Sequence, residues 1–188
     1  MIEALAGPSA LVAAAATVIG AVLLWLFFSR GQPWGTLNDI ASIVLMAATI
    51  PVAGRLASLL SEPFAGAGLL VAAVGVAGML IAGVAQAALV LRLGTYRGLL
   101  PFTLGGGAIV GAWYLLVALT ALGTRMPAGL IALAVAAGLG YLAIGYGFWR
   151  GNERHPASIA GGVVLLVAST GFLGWLGISL VAGEALAA

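Results

Sequence analysis

Few side chains in this sequence could do chemistry, and most of those that could are set in apolar surroundings. Asp39 and Arg55 share one apolar stretch, residues 35–60, and Gln86 lies in the next. A carboxylate, a guanidinium and a carboxamide at membrane depth would serve to bind a proton, an ion or a small polar solute. Asp39 also has a structural reading. With Thr36 three residues ahead it has the spacing of a capping box, its charge favoured at the positive end of the helix dipole. Arg55 falls about five residues, or ~8 Å, inside the far end of its stretch. Helical side chains lean towards their own N-terminus, which here means towards the membrane centre. An unpaired charge at that depth costs at least ~2.5–3.5 kcal/mol, so a partner is expected. Glu62 lies further along the same helical face; Tyr114 and Thr120, a lipid phosphate or a group on another protein are the alternatives. Pro51, one turn before Arg55, removes the hydrogen bond to the Ala47 carbonyl and is expected to kink the helix. Gln86 suits an interhelical hydrogen bond of about 1 kcal/mol or less, or a contact to a ligand.

The remaining inventory removes most catalytic chemistries. The chain has no Cys and no Lys, which excludes disulfides, thiolate catalysis, iron–sulfur ligation and Schiff-base cofactors. Its single His, His155, cannot build a multi-histidine metal centre or a bis-histidine haem, and it falls in a loop away from any serine at depth. No two acids can converge within the apolar stretches. We therefore expect no catalytic residue, no metal site, no cofactor and no enzyme.

Those residues need elements to hold them, and composition says which. Of the 188 residues 63% are hydrophobic and 6% charged, against roughly 25% charged in a soluble domain. Too little polar surface remains to face water, so the chain is read as an integral membrane protein. The fold class is all-α, a polytopic bundle of six transmembrane helices in a single domain, 1–188, with both termini on one side. The spans fall at about 9–28, 37–60, 63–91, 99–122, 127–149 and 156–181, each long enough for the ~20 residues that cross the hydrocarbon. Ser61 is expected to cap the third, with Pro63 in its first turn. That span exceeds the bilayer and is expected to tilt or project. The N-terminus carries Glu3 and no basic residue, so the first span reads as retained and not as a cleaved signal. The loops are too short to fold by themselves, which puts any activity in or at the bilayer.

All basic residues are Arg. Arg30, Arg92, Arg97, Arg150 and Arg154 fall in the first, third and fifth loops, against Arg55 and Arg125 towards the opposite face. The positive-inside rule then places those loops in the cytoplasm and both termini outside. The five loop arginines are also candidates for binding anionic lipid head groups. No nucleic-acid partner is expected. The Gly-rich run at 103–111 has two readings. Gly107 and Gly111 let a neighbouring helix approach closely; alternatively the helix breaks near Pro101 and its backbone lines a solute site.

Residues 34–39 (WGTLND), His155 and Pro156 ahead of Gly161 and Gly162, and residues 174–177 (GWLG) give the chain a resemblance to a diffuse group of uncharacterised bacterial six-helix integral membrane proteins. The resemblance implies a multi-pass protein of the bacterial cytoplasmic (inner) membrane and implies no activity. Two functions fit the inventory. The first is an accessory or scaffolding subunit, packed on other membrane proteins or on a second copy and holding lipid or pigment. Its motives are the many small-residue helix faces and the absence of an obvious partner for Arg55. The second is a small dimeric transporter or channel for a small solute or ion, using Arg55, Asp39 and Gln86.

Overall fold

In hydrocarbon no water satisfies the backbone, so an apolar chain of this kind closes its hydrogen bonds within helices. The computed structural model has six: α1 (Ile2–Arg30), α2 (Trp34–Leu59), α3 (Ala67–Val90), α4 (Tyr96–Ala121), α5 (Ala128–Arg150) and α6 (Pro156–Ala182). All six are long and apolar enough to cross a membrane. The structure describes residues 2–61, 65–151 and 154–184.

Each helix packs against its neighbours in sequence, and α6 returns to pack against α1. The result is a closed ring. Lipid tails are as apolar as the helices, so burial alone does not drive this association; close backbone approach does. Small residues provide it around the ring. A β-carbon on Gly106 would lie 2.5 Å from the Ala82 nitrogen, and one on Gly78 would lie 2.9 Å from the Val110 nitrogen, which fixes α3 on α4. Gly111 meets the carbonyl of Gly138 between α4 and α5, and Gly140 and Gly161 face each other's carbonyls between α5 and α6. Gly68 sits against the Ala57 carbonyl between α3 and α2, and Gly177 against the Gly7 carbonyl where α6 meets α1.

Several local expectations are corrected. The Thr36–Asp39 capping box does not form. Helix α2 begins at Trp34 behind Pro33, so Thr36 is already inside it, and its N–H and hydroxyl donate to Gln32 Oε1 at 3.3 and 3.2 Å. Ser61 does not cap α3: its hydroxyl donates to the Ser58 carbonyl at 3.0 Å, at the end of α2. Helix α3 starts only at Ala67, after Gly66 at φ 88°, a conformation a side chain would resist. Its 24 residues fit the bilayer without the excess length expected. Glu62 and Pro63 lie outside the described residues. Helix α1 is longer than the expected span and runs through Pro8. Helix α4 is unbroken at Pro101 and is capped by Thr95, whose hydroxyl accepts from the Gly98 N–H at 3.2 Å. Both Gly107 and Gly111 face Tyr141 of α5, as the close-approach reading requires. His155 is not a free loop residue. Its Nδ1 accepts from the Ala157 N–H at 3.2 Å and caps α6.

Candidate functional site

A ring of six helices leaves an axial space. With neighbouring axes ~8–10 Å apart, a regular hexagon puts opposite axes ~16–20 Å apart, which leaves a gap about one helix wide for side chains alone to fill. The two ends of the ring fill it differently. One end carries the described chain termini (the terminal end); the other carries the loops with Arg30, Arg92, Arg97, Arg150 and Arg154 (the Arg-bearing end).

The terminal end is plugged. The largest fully buried side chains include Leu56, Val71, Val117, Leu130, Phe172 and Leu176, all on the terminal side of their helix midpoints; of that group only Met79 sits at mid-helix. Near mid-membrane an aromatic floor closes the axis. Trp113 and Tyr114 have ring centroids 4.8 Å apart, Phe172 meets Tyr114 edge-on at 5.4 Å, and Tyr141 stacks on Tyr114 at 6.2 Å. The Tyr114 hydroxyl is tied to Ser169 Oγ at 2.9 Å, so α4 and α6 are joined across α5 by one buried hydrogen bond.

Towards the Arg-bearing end no large side chain among the described residues is fully buried. On α6, two turns before buried Ser169, Gly162 has open space where a β-carbon would point. Ser42 lies two turns before buried Thr49 on α2, and Thr103 two turns before buried Val110 on α4; both are half-buried. Gln86 lies two turns after buried Met79 on α3. Register puts these three at one depth. Met46 packs on Gly83 and Ala82 on Gly106, so in antiparallel helices Gln86 stands level with Ile43 and Phe102, within about one residue of Ser42 and Thr103. Three consecutive helices thus carry a hydroxyl, a carboxamide and a hydroxyl at one depth. Thr103 Oγ1 donates to the Leu99 carbonyl at 3.3 Å, leaving its lone pairs to accept. The Gln86 Oε1 is buried and has no hydrogen-bond partner among the described residues.

The other candidate residues do not join this site. Arg55 is half-buried on the side of α2 away from Ala53, which is fully buried, and it is partnered within the chain. The Tyr114 hydroxyl shares a hydrogen bond with Ser169 Oγ, and Thr120 donates to the Leu116 and Val117 carbonyls. Asp39 is half-buried two turns before Met46, on the face α2 turns to α3, at the rim of the open end. Glu62 lies outside the described residues. Arg30, Arg92, Arg97, Arg150 and Arg154 are exposed at the Arg-bearing end. Ser42, Tyr141 and Ser169 escaped sequence reasoning because hydroxyls are common in membrane helices, and Thr103 and Gly162 entered it only within glycine-rich runs.

Comparison with protein-family models, with curated proteins and with solved structures found no match.

Proposed function

We propose that this integral membrane protein is a conduit, a transporter or channel that admits a small uncharged polar solute from the Arg-bearing side as far as the aromatic floor. The observation that carries this reading is the unequal filling of the ring. The large fully buried side chains sit in the terminal half or at mid-helix, while the other half holds the buried, unpartnered Gln86 Oε1 at one depth with the half-buried Ser42 and Thr103. An unpaired buried carboxamide oxygen is costly in a structural role and useful in a binding one, since a solute donor repays the lost hydration. No charged side chain is placed among these three, which favours a neutral solute over an ion. By the positive-inside rule the opening faces the cytoplasm.

The alternative of an accessory subunit rested on small-residue faces awaiting a partner and on a stranded Arg55. Gly68, Gly78, Gly106, Gly138, Gly161 and Gly177 are consumed inside the ring, and Arg55 is partnered within the chain. The test is solute-driven swelling of proteoliposomes with urea, glycerol and formamide as probes. We expect at least one probe to enter faster than in protein-free vesicles, and Gln86→Leu to slow that entry several-fold. Vesicles indistinguishable from protein-free ones for all three probes, together with co-purification of a stoichiometric partner protein, would favour the subunit.

A further inference from the structure

We propose that the outer surface of the α3–α4 hairpin holds one anionic phospholipid, its acyl chain in an apolar groove and its phosphate at Arg92 and Arg97. The two helices touch most closely where Gly106 meets Ala82, and they part beyond that point towards the Arg-bearing end. The parting leaves a groove of about 440 Å³ walled by Leu80, Ile81, Val84 and Ala88 of α3 and by Leu99 and Phe102 of α4. It opens away from the ring, since Leu80, Val84 and Phe102 are 51%, 65% and 59% exposed. Nearly all of its lining is carbon, which suits an acyl chain and offers a polar ligand nothing.

What selects an anionic lipid is the charge above the groove. Arg92 follows the end of α3, and Arg97 lies in the first turn of α4, both exposed. Arg97 precedes Phe102 by five residues, or ~7.5 Å of helix rise, so a head group at the arginines and a chain in the groove belong to one molecule. The positive end of the α4 dipole adds to the same field. Zwitterionic lipids could fill the groove but would gain less from the arginines.

Native mass spectrometry from mixed micelles, supplying phosphatidylglycerol and phosphatidylcholine of identical chains at equal concentration, tests this directly. We expect one phosphatidylglycerol retained per chain, at least several-fold over phosphatidylcholine. Arg92→Gln with Arg97→Gln should erase the preference while some lipid of either kind stays. Val84→Trp, a lipid-facing change that fills the groove, should lose the retained lipid altogether; Ala88→Phe provides a second obstruction should the first variant misfold. Equal retention of the two lipids by the unaltered chain would overturn the proposal. So would retention unaffected by both obstructing variants, or a dimer that those variants dissolve, which would mark the groove as a contact between two copies. None of these outcomes depends on solute flux.

Discussion

Adjacent glycines on α4 give the packing a sharp test. At Gly106 a β-carbon would stand 2.5 Å from the Ala82 nitrogen and 2.9 Å from its Cα, whereas at Gly105 it would meet nothing within 4 Å. Both substitutions to Ala relieve the same backbone entropy, worth up to ~1 kcal/mol in an exposed helix. Only Gly106→Ala collides with main chain. Reaching ordinary contact at 3.4 Å from 2.5 Å means moving the helices apart by most of 0.9 Å. A gap of that size forfeits a quarter to a half of each dispersion contact along the seam, including Gly78 on Val110 and Gly75 under Trp113. Overpacking of this kind costs ~1–3 kcal/mol. We expect Gly105→Ala to be neutral or slightly stabilising and Gly106→Ala to be less stable than it by about 1–3 kcal/mol. Reversible unfolding in mixed detergent micelles, followed by helical circular dichroism or steric trapping, measures the difference. Equal stabilities for the two variants would refute the close α3–α4 contact and, with it, the register that sets Gln86 level with Thr103.

Two further outcomes follow from named contacts. A double-mutant cycle on Tyr114→Phe and Ser169→Ala should give a coupling of about 0.6 kcal/mol, the average for hydrogen bonds between membrane helices, and no more than ~1.7; a zero coupling would remove that tie across the ring. His155→Ala should destabilise by about 1 kcal/mol through loss of the α6 cap while His155→Asn retains most of it, which thermal unfolding would resolve.

The six spans were legible because hydrocarbon imposes length and apolarity on each helix, and Arg-bearing loops punctuate them. The helix starts were less so. A capping box needs its Thr just outside the helix, and nothing local said that α2 would begin at Trp34, two residues before Thr36. Ring closure was hidden for a similar reason. Gly7, which meets α6 at Gly177, lay outside the expected first span and gave no sign of its distant partner. The site was the least legible part. In a soluble helix polarity marks the outward face, but these helices are apolar all round, so periodicity could not say that the Gln86 carboxamide oxygen would be buried without a partner. Arg55 drew attention by its charge; Ser42 and Thr103, which share an axial depth with Gln86, carry no such flag.

The chain contains no native Cys, so single cysteines can report directly on whether the axial space is wet. Ser42→Cys and Thr103→Cys should be labelled by a membrane-impermeant maleimide applied from the Arg-bearing side, and Val117→Cys and Leu176→Cys should resist it from that side. Labelling of all four at similar rates, or protection of Ser42→Cys and Thr103→Cys, would contradict a ring that is open at one end and packed at the other.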